Sequence, residues 1–294
     1  MFFTKMHGLG NDFLVVDDRN PDAVDWASLA AVVCARHTGV GADGILLIQQ
    51  SESADFRLRV VNADGTEPEM CGNGVRCAAV FVRSISIAGE VVRWETPAGL
   101  VTTELLGDGT VRVDMGPPRL APAEVPFDHP GERALDVPLE MDGEVLRVSA
   151  VGMGNPHCVV LVDDLDSYPV ARVGAVIQRH PRFPSGANVE FVQLVTRSRV
   201  RQRTLERGVG ETDACGTGAC ATAVALAALG LADHPLEVEL RGGVLTIAWE
   251  PGSPVLMTGP AVTVFSGHLP GVGRSLKRTL PPPVHGIVRP ASGR

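Results

Sequence analysis

Lysine is almost absent from this chain of 294 residues, which contains only Lys5 and Lys277 beside 24 arginines. Enzymes that use pyridoxal phosphate hold that cofactor as a Schiff base on a lysine, so the shortage leaves few candidates for the attachment. Lys5 precedes the first motif described below, and Lys277 stands in a stretch rich in glycine, proline and arginine. Neither is a promising Schiff-base lysine, and the sequence therefore predicts a protein that works without a cofactor.

An excess of positive charge is also missing, because the formal net charge is −8. The basic surface of a nucleic-acid-binding protein is therefore not expected. The longest run of small apolar residues, 219–232, is shorter than the roughly 18 residues that a membrane span needs. The first residues contain no apolar stretch of the signal-peptide type. We expect a cytoplasmic protein with no nucleic-acid or membrane partner.

Cysteines are few, and their spacing excludes two common uses. In a reducing compartment the six cysteines are expected to be thiols and not a disulfide framework. The pairs Cys71/Cys77 and Cys215/Cys220 lack the short gaps of a zinc knuckle, and no histidine pair stands near them. We therefore expect no metal site.

What the chain does contain is an internal repeat. The segment Gly8-Leu-Gly-Asn11 recurs as Gly152-Met-Gly-Asn155, and Cys71-Gly-Asn-Gly74 recurs as Cys215-Gly-Thr-Gly218, both at an offset of 144 residues. Between them, Gly41-Ala-Asp43 recurs as Gly186-Ala-Asn188 at an offset of 145. Because the offset is about half of the chain, the repeat predicts two copies of one folding unit.

Each copy combines alternating strand-like segments with one helix that is apolar on most faces. Such a helix is buried, so we predict an α/β (α+β) protein with two pseudo-symmetric domains, each a mostly antiparallel or mixed sheet curled around a central buried helix. The helices are predicted at 75–82 and 219–229. The strands are predicted at 56–61, 91–94, 101–106, 111–113, 144–151, 158–162, 189–195, 200–205, 237–240 and 244–249. A linker is predicted at 116–122, and a mobile tail at 270–294.

Cys71 and Cys215 are the candidate reactive residues. Each precedes a Gly-x-Gly at the start of a predicted buried helix, where unpaired N–H groups and the helix dipole stabilise an anion and lower a thiol pKa. The same amides suit a carboxylate or a phosphate. A lone cysteine is more often a small buried hydrophobic residue, and that interpretation holds for Cys34, Cys77, Cys158 and Cys220. Duplication at matched helix starts favours function for the other two.

Two thiols that enter one cleft from opposite sides fit a two-base racemase or epimerase. One thiolate removes a proton from one face of a stereocentre, and the opposing thiol delivers a proton to the other face. A cysteine protease is disfavoured, because it needs one thiol with a histidine and not a matched pair. The Gly-x-Gly-x-x-Gly pattern at 39–44 lies between a helical stretch and a strand, which is the reverse of the order in a dinucleotide site.

Polar residues near the repeat motifs are weaker candidates. Glu206 and Arg207 precede the second cysteine motif and suit the ammonium and carboxylate of an amino-acid head group, although an adjacent pair of this kind is often a surface ion pair. Asparagines that stand beside or near glycines are ordinary turn residues as well as good uncharged ligands. They are Asn11, Asn62, Asn155 and Asn188.

At these residues the chain resembles the diaminopimelate epimerase family over about residues 1–268. The motifs that carry the resemblance are His7-Gly-Leu-Gly-Asn-Asp-Phe, Arg36-His-Thr-Gly-Val-Gly-Ala-Asp, Asn62-Ala-Asp-Gly, Met70-Cys-Gly-Asn-Gly-Val-Arg-Cys, Gly154-Asn-Pro-His-Cys, Gly186-Ala-Asn-Val, Glu206-Arg-Gly-Val-Gly-Glu-Thr, Ala214-Cys-Gly-Thr-Gly-Ala-Cys and Met257-Thr-Gly-Pro-Ala-Val. Some members carry glutamine where this chain has Gly44.

The resemblance implies cofactor-independent interconversion of LL- and meso-2,6-diaminoheptanedioate, a step in lysine and peptidoglycan precursor biosynthesis. In the LL-to-meso direction it implies Cys215 as proton acceptor and Cys71 as donor. It places the reacting carboxylate at Gly72-Asn73 and Gly216-Thr217, and it gives His157 and Glu206 a part in tuning the thiols. Substrate contacts are implied for Asn11, Asn62, Asn155, Asn188, Glu206 and Arg207.

The resemblance also implies a homodimer and a last strand that returns to the first half. We therefore predict a first half of residues 1–116 plus about 261–269 and a second half of 117–260. Two alternatives stay open: a proline or hydroxyproline racemase of the same fold, and a non-catalytic amino-acid binding protein. Glu206 and Arg207 argue against the racemase, because a monocarboxylate offers no distal head group to them.

Overall fold

The computed structural model describes residues 1–20, 24–68, 70–141 and 143–270. Its first half contains helices α1 (Trp26–Val33) and α2 (Gly72–Ser84) and strands β1 (Phe2–Gly8), β2 (Asn11–Asp17), β3 (Gly44–Gln49), β4 (Phe56–Asn62), β5 (Val91–Thr96), β6 (Gly99–Leu105) and β7 (Val111–Asp114). A short 3-10 turn at Pro122–Glu124 follows.

The second half contains helices α3 (Val170–Gln178) and α4 (Gly216–Ala228). Its strands are β8 (Val137–Met141), β9 (Glu144–Gly152), β10 (Pro156–Leu161), β11 (Asn188–Thr196), β12 (Arg199–Glu206), β13 (Gly210–Thr212), β14 (Leu236–Leu240), β15 (Gly243–Ala248) and β16 (Leu256–Gly259), and the last strand is β17 (Val262–His268).

Hydrogen-bonded pairing runs through both halves without interruption. In the first half the strands follow the order β17, β1, β2, β3, β4, β5, β6, β7, with parallel pairs at β2–β3 and β4–β5. In the second half the order is β8, β9, β10, β11, β12, β14, β15, β16, and β13 pairs with β12. Antiparallel pairing of β7 with β16 joins the two halves.

The strand register repeats with the offset that the sequence predicted. Val15 of β2 pairs with Leu46 of β3, and Val159 pairs with Glu190, each 144 residues later. The pair 56/94 recurs in the same way as 200/238. The pair 103/113 recurs as 247/257. The predicted α/β (α+β) class with two similar halves is therefore confirmed.

One motif match shifts by a residue in the structure. The repeat in the sequence aligns Asp43 with Asn188. In the sheets, however, Phe13 is the strand partner of Gly44, and the equivalent residue His157 is the strand partner of Asn188. The structural counterpart of Asn188 is therefore Gly44. A Cβ atom at Gly44 would lie 2.6 Å from the backbone oxygen of Val61, so a side chain there requires the backbone to move.

Helices α2 and α4 lie at the centre of the main hydrophobic core. Helix α4 is rich in alanine, and small side chains let the surrounding strands approach it closely. Both helices begin directly after a cysteine, which is a few residues before the apolar segments at 75 and 219 suggested.

Helix α1 corresponds to the helical stretch expected before the glycine pattern at 39–44, whereas helix α3 was not among the predicted elements. They cover the outer faces of the two sheets, where they form separate apolar clusters with the strands beneath them. Strands buried on both faces carry continuous apolar runs such as 45–48, and such runs do not reveal what covers each face. Among the described residues, no helix has the length and apolar character that spanning a membrane requires.

We propose that the halves divide as residues 1–116 with 261–269 and residues 117–260. The pairing of β17 with β1 supports this division, since the last strand completes the sheet of the first half. Arg119 exchanges two backbone hydrogen bonds with Gly152, so the proposed linker segment is held against β9. Residue 270 is the last described residue, and the remainder of the predicted tail, 271–294, lies outside the described residues.

Candidate active site between two helix starts

The two candidate thiols occupy the same structural position in the two halves. Cys71 and Cys215 are the N-cap residues of α2 and α4, with extended backbone angles. The Sγ atom of Cys71 accepts the N–H of Gly74 at 3.4 Å, and that of Cys215 accepts the N–H of Gly218 at 3.3 Å. Sulfur accepts this hydrogen bond more strongly as a thiolate, so each cap favours the ionised form.

The two helix starts lie next to each other. Met257 of β16 packs between them. A Cβ atom built on Gly72 would lie 2.9 Å from its Cε atom, and one built on Gly216 would lie 3.0 Å from its Sδ atom. The Asn73 amide donates to the backbone oxygen of Ala214 at 3.2 Å, which links the start of α2 to the residue before Cys215. The first turns of α2 and α4 therefore lie side by side.

Asn11 connects the first helix start to an ion-pair network. Its Nδ2 donates to Asp43 at 2.8 Å, and a carboxylate only accepts, so its Oδ1 faces the site. There Oδ1 accepts from Asn73 at 3.2 Å and from the Cys71 thiol at 3.8 Å. Behind Asp43, the carboxylate of Asp12 pairs with Arg36, and it also pairs with Lys5.

The second helix start is bordered by a buried histidine and a buried carboxylate. His157 lies 2.9 Å from Glu190 through Nδ1 and 2.8 Å from Asn155 through Nε2. His157 and Glu190 are fully buried, and a Cβ atom on Gly218 would lie 2.6 Å from the Glu190 Oε1. The carboxylate of Glu190 therefore packs against the first turn of α4, and its Oε2 has no hydrogen-bond partner among the residues that the structure describes.

The remaining candidate residues divide into two groups. Glu206 accepts the hydroxyl of Thr212 at 2.5 Å, and the backbone N–H of Arg207 donates to Asn188 at 2.9 Å, so these residues share one corner of the second half. The Arg207 guanidinium donates to the backbone oxygen of Ser185. Asn62, in contrast, bonds to Thr66 within its own turn.

The charges around the two thiols differ. Burial raises the pKa of the Cys71 thiol, while the N–H of Gly74 and the cation of Arg76 oppose the rise and Glu206 adds to it. Burial also raises the pKa of Cys215 well above its ordinary value, and both Glu206 and Glu190 add to that rise. Burial likewise raises the pKa of Glu206, against its hydrogen bond from Thr212.

The other four cysteines are buried away from the helix starts or inside the helices. Burial raises the pKa of Cys34 to about 11 and those of Cys77 and Cys220 to about 12, and it raises the pKa of Cys158 well above its ordinary value. None of these four cysteines occupies a helix N-cap, whereas Cys71 and Cys215 do and each accepts a backbone N–H there. Within the described ranges, no cluster of histidine, cysteine and acidic side chains has the arrangement of a metal site.

Sequence reasoning missed the buried charges Arg76 and Glu190 and the packing residue Met257. A signal was present for the first two, because each is a charged residue with apolar neighbours on both sides, in Val-Arg76-Cys and Val-Glu190-Phe. Fully buried charges are rare and usually have a partner or a function. For Met257 the sequence offers no signal, since a methionine in a strand is ordinary core material.

Comparison with known proteins gives a consistent result. A family model described as diaminopimelate epimerase matches residues 3–121 and 149–264. The diaminopimelate epimerases of Pseudomonas entomophila (strain L48) and Aromatoleum aromaticum (strain DSM 19018 / LMG 30748 / EbN1) are each 50% identical over 271 residues, covering 91% of this chain and 98% of each relative.

Among solved structures, the Bacillus anthracis phenazine biosynthesis protein of the PhzF family superposes with a TM-score of 0.67 at 18% identity. The match covers 91% of this chain and 98% of that one, and at this identity it concerns the fold alone. The family model and the relatives carry the assignment: this chain belongs to the diaminopimelate epimerase family.

Proposed function

We propose that this protein interconverts LL- and meso-2,6-diaminoheptanedioate by a two-base mechanism that needs no cofactor, in lysine and peptidoglycan precursor biosynthesis. The observation that carries the proposal is the pair of cysteine-capped helix starts placed side by side, in a chain of this family. One thiolate removes the α-proton, and the other thiol protonates the opposite face of the same carbon. Each turnover leaves the proton on the thiol that acted as base, so exchange of thiol protons with water resets the pair for the next turnover in the same direction, and the two thiols have the opposite roles in the reverse reaction.

In the LL-to-meso direction we assign proton removal to Cys215 and proton delivery to Cys71. Negative charge that leaves the α-carbon is delocalised into the substrate carboxylate. The helix-start N–H groups at Gly72-Asn73 and Gly216-Thr217 and the positive ends of both helices would stabilise that charge. Met257 packs between the two glycines and helps keep the helix starts together.

We assign recognition of the distal amino-acid end to the second half and to the asparagines. Glu206 suits the ammonium group, and Arg207 suits the carboxylate. Asn11, Asn62, Asn155 and Asn188 are assigned as further substrate contacts. His157, with Glu206, is assigned to tuning of the thiols, and its contact with Asn155 at 2.8 Å links this function to a substrate-binding residue.

The decisive experiment follows the α-hydrogen in deuterated water with fully reduced protein. The protein is incubated separately with LL-diaminopimelate, meso-diaminopimelate and L-proline, and both stereochemistry and deuterium content are measured. Epimerisation with deuterium incorporation at the α-carbon of diaminopimelate alone is expected. Turnover of proline instead would favour the racemase, and binding without exchange would indicate a non-catalytic binding protein.

We also propose a cytoplasmic homodimer that associates through β17. This edge strand pairs only with β1 among the described strands and exposes Val262, Val264 and Phe265 beside the exposed Phe2. Exposed apolar edge strands favour association with another copy. Sedimentation equilibrium is expected to give a dimer for the wild-type chain and a monomer for Phe265→Asp, and a wild-type monomer would contradict the proposal.

A further inference from the structure

Arg76 is a buried cation close to the candidate thiol of the first half. It lies in the second turn of α2, and its side chain is 0% exposed to solvent. A buried charge normally has an oppositely charged partner, because moving an ion out of water costs several kcal/mol. The acceptors that Arg76 reaches within the described chain are all neutral.

Those acceptors belong to three different parts of the fold. The guanidinium donates to the backbone oxygens of Gly72 at 3.2 Å and Pro260 at 3.2 Å, and to the Asn73 Oδ1 at 2.9 Å. It also contacts the Met257 Sδ at 3.8 Å. Arg76 therefore ties the first turn of α2 to β16 and to the segment between β16 and β17.

The bond to Asn73 determines which way that amide faces. Because Arg76 only donates, the Asn73 Oδ1 must point to it, and Nδ2 must point away. The same Nδ2 then donates to the backbone oxygen of Ala214 and to the Asn11 Oδ1. A polarised chain of hydrogen bonds thus runs from the Arg76 cation through Asn73 and Asn11 to the Asp43 carboxylate.

Cys71 takes part in this chain of hydrogen bonds and caps the N-terminus of the helix that carries Arg76. Its thiol donates to the Asn11 Oδ1, while its Sγ accepts the Gly74 N–H. Arg76 acts electrostatically on Cys71 from α2 itself, and Glu206 acts in the opposite sense from β12. Arg76 interacts electrostatically with the thiols of Cys77, Cys71 and Cys220, and Cys71 is the one of the three that caps a helix and accepts its N–H. An ionised Cys71 would therefore supply the counter-charge that the neutral acceptors of Arg76 do not.

We propose that Arg76 is a positioning residue for proton transfer at Cys71: its buried charge balances the Cys71 thiolate, and its hydrogen bonds hold Asn73 in the orientation that joins the two halves. This inference rests on the proposed function for its catalytic meaning. The electrostatic part concerns the free protein and does not depend on any substrate.

The test compares three variants of the full chain with the wild type. Arg76→Gln removes the charge but still donates a hydrogen bond, and Arg76→Lys keeps the charge. Arg83→Met is the matched control, because Arg83 is an exposed arginine on the same helix. Alkylation of Cys71 by iodoacetamide is followed from pH 6 to 10 by peptide mass mapping, and thermal unfolding and the kcat and KM of epimerisation are measured in parallel.

Arg76→Gln is expected to displace the alkylation profile of Cys71 by about one pH unit to higher pH, so that alkylation at neutral pH is about tenfold slower. Its kcat for the meso-to-LL direction is expected to fall by a similar factor, with a smaller change in KM. The profiles of Arg76→Lys and Arg83→Met are expected to stay within about twofold of wild type, as the charge near Cys71 is kept in both.

A folded Arg76→Gln variant whose alkylation profile coincides with the wild-type profile overturns the proposal. A profile of Arg76→Lys displaced from the wild-type profile by about one pH unit does the same, whether or not Arg76→Gln folds. A wild-type protein that alkylates as described but does not epimerise diaminopimelate would contradict the proposed function and leave the electrostatic role of Arg76 intact.

Discussion

The two helix starts share one backbone and differ in the charges around it. In both halves a cysteine caps a helix of 13 residues and accepts the N–H of the glycine three positions later. Arg76 follows Cys71 by five positions, whereas Cys220 follows Cys215 by five. The glycine that donates to the cysteine packs against Leu46 in the first half, where it is Gly74, and against Glu190 in the second half, where it is Gly218.

A third difference concerns the neighbouring strand. Phe13 of β2 corresponds in register to His157 of β10, which pairs with Glu190. Glu206 therefore raises the pKa of both thiols, but Cys71 has the cation of Arg76 nearby, whereas Cys215 has a second carboxylate, Glu190, with its partner His157. Duplication supplied the anion-binding backbone twice, and a few side-chain differences made the two thiols unequal.

The largest expected effect comes from removing either thiol. Cys71→Ala and Cys215→Ala should each slow epimerisation of diaminopimelate by about a thousandfold, because each direction needs one base and one acid. The measurement is the rate of LL-to-meso conversion in reduced protein, with Cys34→Ala as the control variant. An alanine variant with near-normal turnover would refute the two-base mechanism and make the two halves functionally unequal.

The next prediction concerns the pH dependence of the two thiols. Burial raises both pKa values, so the thiolate fraction and the rate of epimerisation should increase from pH 6.5 to 8.5, by at most about tenfold per pH unit. Because Arg76 opposes the rise at Cys71 and two glutamates add to it at Cys215, Cys71 should become reactive to iodoacetamide at lower pH. Peptide mapping that finds the reverse order would contradict the electrostatic comparison.

Neutralising Glu190 is expected to have the opposite effect to neutralising Arg76. Glu190→Gln keeps the size of the side chain and removes the charge that raises the pKa of Cys215. We expect the alkylation profile of Cys215 to move to lower pH by a few tenths of a unit, an increase of about twofold in its rate at neutral pH. Glu239→Gln, on an ion pair at the protein surface, is the control, and an unchanged Cys215 profile in Glu190→Gln would show that its charge does not reach the thiol.

The smallest expected effect is a difference in the free energy of unfolding between alanine variants of Gly74 and Gly218, the glycines that donate to the two cysteines. A Cβ atom on Gly218 would lie 2.6 Å from the Glu190 Oε1, and one on Gly74 would lie 3.0 Å from the Leu46 Cδ2. Overpacking of this kind costs about 1–3 kcal/mol, so Gly218→Ala should lower the free energy of unfolding by an amount in that range. Gly74→Ala should cost less than Gly218→Ala, and urea unfolding of both variants checks the order.

Several features of the site could be predicted from the sequence because they are local or repeated. The cysteine before each Gly-x-Gly predicts a helix start, and the offset of 144 predicts a matched pair. The position of Met257 between Gly72 and Gly216 could not be predicted, because it depends on the pairing of β7 with β16. The local turn of Asn62 could not be separated from a substrate contact either, since asparagine suits both.

The shortage of lysine, the duplicated glycine and cysteine motifs and the apolar helices are properties of the sequence itself. They determine two similar halves and one cysteine at each buried helix start, since helix capping and apolar burial are short-range consequences of residue order. Which charges face each thiol was decided only by the tertiary structure. Arg76 reaches Pro260 from 184 positions away, and Glu190 reaches His157 from a neighbouring strand. Long-range strand pairing brings such groups together, and charges act through space over distances that chain order does not record.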